Sequence, residues 1–173
     1  MLARRRFGLV AATAVAMSGT GFLRWSDRPA EAGDGEHFEI AHSDEEWRRL
    51  LTREQYYVLR EHGTERAGSS PLDHEERAGT FVCAGCDLPL FSSETKYDSG
   101  TGWPSFWEPL DDAIGTSVDR SLFMTRTEVH CRRCGGHLGH VFEDGPPPTG
   151  LRYCMNGMAL KFVPAEAQTS DDA

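Results

Sequence analysis

A surplus of positive charge, a membrane-length apolar run and an internal repeat are all missing from this chain, and each absence narrows what it does. Its 18 lysines and arginines face 27 aspartates and glutamates, giving a formal net charge of -9 and a pI near 5.2. A surface of that sign repels a phosphate backbone, so nucleic acid is excluded as a partner, and a nucleic-acid zinc ribbon with it. The uncharged stretch from Phe7 to Leu23 contains Gly8, Ser18, Gly19, Gly21 and two threonines. It falls short of the roughly 20 apolar residues needed to span a bilayer. Nothing repeats beyond two cysteine pairs, which excludes a solenoid or propeller. The 173 residues, 39% hydrophobic, supply one ordinary core and hence one globular domain.

What the N-terminus does have is Arg4, Arg5 and Arg6 ahead of that uncharged stretch, the layout of an export signal. The order Arg4-Arg5-Arg6-Phe7 resembles the twin-arginine signal read by the folded-protein export route. Ala30-Glu31-Ala32 offers a small-residue cleavage site, so residues 1–32 are expected to be the leader, with Gly33 opening the mature chain. That chain would keep 13 basic and 25 acidic residues. The expected location is the periplasm; a cytoplasmic protein with a basic tail is the alternative. Residues 33–163 are expected to form the folded domain and 164–173 a disordered tail.

The folded part opens on two short helices. Ser43 with Glu46, and Thr52 with Gln55, each put a hydroxyl at the first cap and an acceptor three residues on, so both free amide ends are satisfied reciprocally. Trp47, Leu50 and Leu51 are expected to share one face, Tyr56 and Leu59 to continue it, and Gly63 to supply the left-handed stop. After Gly79 come short apolar or alternating runs separated by glycine, proline and aspartate. These are Thr80–Cys83, Ser121–Thr125, Glu128–Cys131, Gly139–Phe142 and Leu151–Phe162, which read as antiparallel β strands.

The cysteines carry the strongest chemical signal. Cys83-Ala84-Gly85-Cys86 and Cys131-Arg132-Arg133-Cys134 stand 44 residues apart, and each suits half of a tetrahedral Zn²⁺ site. Such a metal would clip two hairpin turns together, a folding role with no open coordination position. Two disulfides are the alternative, one that an exported protein tolerates.

The fifth cysteine, Cys154, sits in Arg152-Tyr153-Cys154-Met155-Asn156, where strand alternation puts Arg152, Cys154 and Asn156 on one side. A guanidinium beside the sulfur favours thiolate, and an asparagine amide offers hydrogen bonds to a reacting group. A lone cysteine between an aromatic and a methionine is, however, more often an inert buried residue. His137 and His140, in Gly136-His137-Leu138-Gly139-His140, are suited to proton transfer next to the second cysteine pair. They are alternatively packing residues. Trp103 and Phe106 lie beside the glycine-rich turn Ser99-Gly100-Thr101-Gly102, where a loop can carry rings into a pocket or simply into the core.

Taken together these segments resemble the type B methionine sulfoxide reductase family from about Ser43 to Phe162. In family order they are His62-Gly63-Thr64-Glu65, the first cysteine pair, Lys96-Tyr97-Asp98-Ser99-Gly100, Gly102-Trp103-Pro104-Ser105-Phe106, the second pair, His137-Leu138-Gly139-His140-Val141-Phe142, Asp144-Gly145-Pro146 and Arg152-Tyr153-Cys154. The resemblance implies a mainly β fold of the β-tent type, two antiparallel sheets with N-terminal helices, clipped by one structural Zn²⁺ on Cys83, Cys86, Cys131 and Cys134. It also implies reduction of methionine-R-sulfoxide, free or in oxidised proteins, with Cys154 as nucleophile and a thioredoxin-like or small thiol as donor to a monomer. By position it assigns His137 and His140 to the sulfoxide oxygen, Trp103 to the methyl pocket, with Phe106 expected beside it, and Arg152 and Asn156 to flanking support.

The chain departs from the family in two places. Gly157 and Met158 stand where many members have serine then alanine, and Thr101 stands where a subset has a second, resolving cysteine. A sulfoxide presents an electrophilic sulfur, a negative oxygen and a methyl group, so a thiolate, a proton source and an apolar wall are the residues required. Two other classes compete. A non-catalytic zinc-clipped β module would use an aromatic pocket only to hold a ligand, and has no need of an arginine-flanked thiol. A zinc hydrolase would need an open metal position that four cysteines do not provide.

Overall fold

The computed structural model describes residues 37–121 and 124–168. The expected leader lies outside the described residues, as do the last residues of the expected tail. Among the described residues no helix is long and apolar enough to cross a membrane.

Both N-terminal helices begin on complete capping boxes. Ser43 caps α1 (Asp44–Leu50) with Glu46 bonding back, and Thr52 caps α2 (Arg53–Glu61) with Gln55. In α1 Trp47 is buried, as is Leu51 one turn on at the C-cap, whereas Leu50 is 61% exposed and does not share their face. The left-handed residue ending α2 is His62 (φ 54°), one position earlier than expected. Gly63 is required for a different reason, because a Cβ there would meet the Tyr57 ring.

Nine strands follow among the described residues: β1 (Gly79–Cys83), β2 (Pro89–Ser92), β3 (Lys96–Tyr97), β4 (Ser105–Phe106), β5 (Ile114–Asp119), β6 (Arg126–Cys131), β7 (His137–Phe142), β8 (Arg152–Met155) and β9 (Leu160–Pro164). They form a three-stranded sheet, β2-β1-β9, and a six-stranded sheet, β3-β4-β8-β7-β6-β5. Every pairing is antiparallel. The fold is therefore mainly β, as the sequence implied.

The differences are local. The expected strand at Ser121–Thr125 is not one at its described residues; the strand lies earlier, at β5, and Ser121 instead turns the chain by bonding to Asp119. The expected single run Leu151–Phe162 is two strands belonging to different sheets, parted by a 3₁₀ turn at Gly157–Ala159. Pro164 closes β9 and Ala165–Gln168 form a helical turn, so the expected tail does not begin at Pro164.

The core lies where the sheets meet. Phe81 and Phe91 are register partners in the smaller sheet, and Phe106 of the larger sheet stacks on Phe91 (ring centroids 4.3 Å apart) and meets Phe81 edge-on at 4.9 Å. All three rings are fully buried. Aromatic contacts of this kind add to the gain from burial alone.

Candidate active site

The two cysteine pairs occupy equivalent turns, one following β1 and the other joining β6 to β7. Each turn closes with the same backbone bond, Asp87 N–H to the Cys83 carbonyl and Gly135 N–H to the Cys131 carbonyl, both at 2.9 Å. Each ends on a left-handed residue, Asp87 (φ 57°) and Gly135 (φ 66°). Guanidinium groups tie the turns to their surroundings: Arg60 donates to the Cys134 carbonyl and Arg133 to that of Cys86.

The four sulfurs lie within 4.8 Å of one another, with Cys83 and Cys134 at 3.7 Å and Cys86 and Cys131 at 3.5 Å. None is in a disulfide. A tetrahedron with metal–sulfur bonds of ~2.3 Å has edges of ~3.8 Å. The cluster therefore has the size of a tetrathiolate metal site, joining the smaller sheet to the larger.

The fifth cysteine lies in a single transverse row of side chains. Tyr97, Ser105, Cys154, His140, Glu128 and Ser117 are successive register partners across all six strands of the larger sheet. Residues directly opposite in a ladder point to the same side, so six distant segments deliver their side chains to one face. A cavity of about 130 Å³ opens there, lined by Cys154, His140, Trp103, Asn156, Phe142 and Arg126 among others. A larger hollow of about 890 Å³ lies along α2 and the Thr64–Ser69 segment, and none of the expected site residues lines it.

Hydroxyls surround the sulfur. Thr101 Oγ1 is 3.9 Å from Cys154 Sγ and 2.8 Å from Ser99 Oγ, which is 2.7 Å from Ser105 Oγ. Burial pushes the Cys154 thiol up, against the pull of Thr101, Arg152 and Ser105 toward thiolate. The expected lowering by Arg152 is outweighed. Its guanidinium is held bidentately by Asp144 at 2.8 Å and stacks over Phe142, so much of its charge is already compensated.

The two histidines differ. His140 lines the cavity, and its Nε2 is 2.8 Å from Asp119, which Arg126 also holds at 2.6 Å. Burial lowers the His140 pKa more than Asp119 raises it. His137 is not among the cavity-lining residues; it is buried, with Nδ1 2.6 Å from Glu128 Oε1, and its ring centroid is 5.4 Å from that of His140.

Of the other expected residues, Trp103 and Asn156 join Cys154 at the cavity, whereas Phe106 lies wholly in the aromatic core. Asn156 follows β8 rather than continuing it. Its amide holds backbone on both sides, donating to the Leu138 carbonyl and accepting from Glu65 N–H.

Several residues at the site had no assigned role in the sequence. Glu65 is buried, accepts from the amides of Gly157 and Met158, and its carbonyl accepts from Trp103 Nε1. It thereby joins two walls of the cavity. A Cβ at Gly157 would collide with Ser70 Oγ, so with serine at position 157 the Ser70 side chain would have to shift. Asp119, Glu128, Ser99 and Ser105 were equally unassigned. Strand pairings bring Asp119, Glu128 and Ser105 to the site, and Ser99 joins them from the loop after β3 through its bonds to Thr101 and Ser105.

Comparison with known proteins agrees with this geometry. The SelR domain model matches residues 51–164. A protein of Leptospira interrogans named "Peptide methionine sulfoxide reductase MsrB" is 54% identical over 127 residues, 73% of this chain and 97% of that relative. Proteins of the same name from Pseudomonas putida (57% over 123 residues, 70% and 92%) and Leifsonia xyli subsp. xyli (55% over 138 residues, 79% and 99%) are similarly close. With a family model covering well over half its length and relatives matched almost end to end, the chain belongs to the type B peptide methionine sulfoxide reductases.

Proposed function

We propose that this chain reduces methionine-R-sulfoxide to methionine by attack of Cys154 on the sulfoxide sulfur. The observation that carries this reading is the position of the one cysteine outside the tetrathiolate cluster, in a cavity with His140 on one side and Trp103 on another. The Cys154 thiolate attacks sulfur, an imidazole protonates oxygen, and oxygen passes to Cys154. Methionine sulfur gains two electrons, Cys154 loses two, and the enzyme is left as a sulfenic acid. Trp103 supplies an apolar wall for the methyl group, and contacts on three sides of a chiral sulfur select one epimer.

With threonine at position 101 and the other four thiols in the cluster, recycling uses an external thioredoxin-like or small thiol: two donor thiols reduce the sulfenic acid, releasing water and a disulfide. The proposed working unit is a monomer. Cys83, Cys86, Cys131 and Cys134 would hold one structural Zn²⁺, supported by sulfur spacings near those of a zinc tetrathiolate. A non-catalytic binding module is the weaker reading, since no binding role calls for a half-buried free thiol among hydroxyls and imidazoles.

Residues 33–163 constitute the reductase domain in this proposal, preceded by a leader at 1–32 that exports the folded protein by the twin-arginine route. Arg4-Arg5-Arg6-Phe7 ahead of an uncharged stretch supports it. Lysine at both Arg4 and Arg5 should retain the protein in the cytoplasm; undiminished export would remove the route. For the activity, the test is an assay of R and S sulfoxides, free and peptide-bound, with dithiothreitol as donor. Turnover of the R epimer alone is expected, and equal turnover of both epimers, or of neither, would refute the assignment.

A further inference from the structure

Behind the cavity lies a carboxylate that the mechanism above does not use. Glu128 of β6 is 8% exposed, the register partner of His140, and saturated with hydrogen bonds. Its Oε1 lies 2.6 Å from His137 Nδ1 and 2.9 Å from His62 Nδ1, and its Oε2 accepts from Ser117 Oγ at 2.7 Å. Burial opposes ionisation of Glu128, but the bonds from His137, His62 and Ser117 outweigh it and hold the carboxyl far below its usual range. An ionised carboxylate only accepts. Both Nδ1 atoms therefore carry protons, and His137 is fixed in one tautomer with Nε2 as its remaining ring atom. That Nε2 is buried and has no hydrogen-bond partner among the described residues.

We propose that Glu128 is a positioning residue of the reductase, holding His137 by Nδ1 so that its Nε2 exchanges a proton with Cys154 and the sulfoxide oxygen through the neighbouring His140, which lines the cavity. The inference rests on the function proposed above. Burial raises the Cys154 thiol, which favours an imidazole that takes its proton before attack. Cys154–SH and imidazole give thiolate and imidazolium. Thiolate, sulfoxide and imidazolium then give Cys154–SOH, methionine and neutral imidazole, so proton, oxygen and charge all balance. The Glu128 carboxylate compensates the imidazolium while it exists and keeps its own charge throughout. This is the logic of a nucleophile, a base and an orienting acid.

His62 extends the arrangement to solvent. Its side chain is 65% exposed, its ring is 5.3 Å from that of His137, and its pKa is raised chiefly by the hydrogen bond to Glu128. Other charges also bear on the pair: His140 on the same strand, Asp119 from β5 and Arg126 from β6 acting on His140, and Arg60 from α2 acting on His62. His62, Glu128 and His137 place three donor atoms within 4.8 Å, a set that a metal ion could also use. The short N–H···O contacts satisfy these groups without one.

The test uses the full chain with its cluster metal, acting on methionine-R-sulfoxide. Glu128→Gln keeps size and removes charge; kcat should fall about 10²-fold, the scale of lost acid–base catalysis, while KM changes less than about twofold. The kcat limb reporting the protonated imidazole should move to lower pH. Glu128→Asp, shorter but charged, should recover part of the loss, whereas a purely structural role would tolerate Gln better. Should either variant fold poorly, ¹⁵N NMR of the wild-type imidazoles decides instead, with His137 Nδ1 expected to be protonated. Three results would overturn the inference: an unchanged kcat and pH profile in Glu128→Gln, an unprotonated His137 Nδ1, or a second equivalent of Zn²⁺ that is lost in His62→Ala. Wild type inactive on both epimers would remove the proposed function itself. Active wild type with a normal Glu128→Gln variant would remove the Glu128 role alone.

Discussion

The protein uses cysteine in two regions built on opposite principles. At the tetrathiolate cluster each ligand pair lies within four consecutive residues, closes on its own backbone bond and ends on its own left-handed residue. At the cavity no two adjacent members of the row around Cys154 come from the same strand. The first region is therefore prescribed by local spacing, and in the function proposed above it serves stability. The second exists only once six strands have paired, and in that proposal it serves chemistry. Substitutions should separate accordingly.

The largest expected effect is on the chemical side. Cys154→Ser should abolish turnover while thermal stability and metal content stay at wild-type levels, measured by epimer-specific assay, calorimetry and elemental analysis. Residual turnover would move the nucleophile elsewhere. On the structural side, Cys131→Ser should release the metal and cost several kcal/mol, about the scale of other lost structural metal ligands. A well-folded, metal-free variant with wild-type melting behaviour would dissolve the contrast between the regions.

His140→Ala should slow turnover roughly 10²-fold with little loss of stability. The two aromatics next to the glycine-rich turn sharpen the comparison further, since they lie three residues apart but in different regions. Phe106→Ala should cost ~3–5 kcal/mol of stability, as expected for a fully buried ring. Trp103→Ala should chiefly raise KM. Exchange of those two outcomes would mean that the core and the methyl pocket have been confused.

The smallest effect concerns acidity. Because burial raises the Cys154 thiol above the ordinary range while Thr101 pulls it down, alkylation by iodoacetamide should rise with pH to a midpoint above that of free cysteine. Thr101→Val should move the midpoint higher still. A midpoint below free cysteine would show that Arg152, despite its pairing with Asp144, dominates the sulfur's surroundings.

How much of this was legible in the sequence follows the same division. Capping boxes, cysteine turns and the apolar positions Trp47, Tyr56 and Leu59 are local patterns, and the structure places them as expected. The two-residue strands β3 and β4 were invisible because they have no period of their own: β4 forms against β8, and β3 only against β4. Phe106 reads the same in sequence whether it faces pocket or core; its pairing with Tyr153, one residue from the row, places it in the aromatic core. Glu65 and Glu128 received no role from the sequence, since nothing local shows that Glu65 will meet the amides after Asn156 or that Glu128 will meet two imidazoles.

Mass spectrometry of the protein after one equivalent of methionine-R-sulfoxide, with no reductant present, tests the central claim most directly. The account predicts one added oxygen on Cys154, trappable by a sulfenic-acid reagent, with Cys83, Cys86, Cys131 and Cys134 unchanged and still holding metal. A disulfide between Cys154 and any of those four, with metal released, would contradict it by making one chemical unit of the two regions.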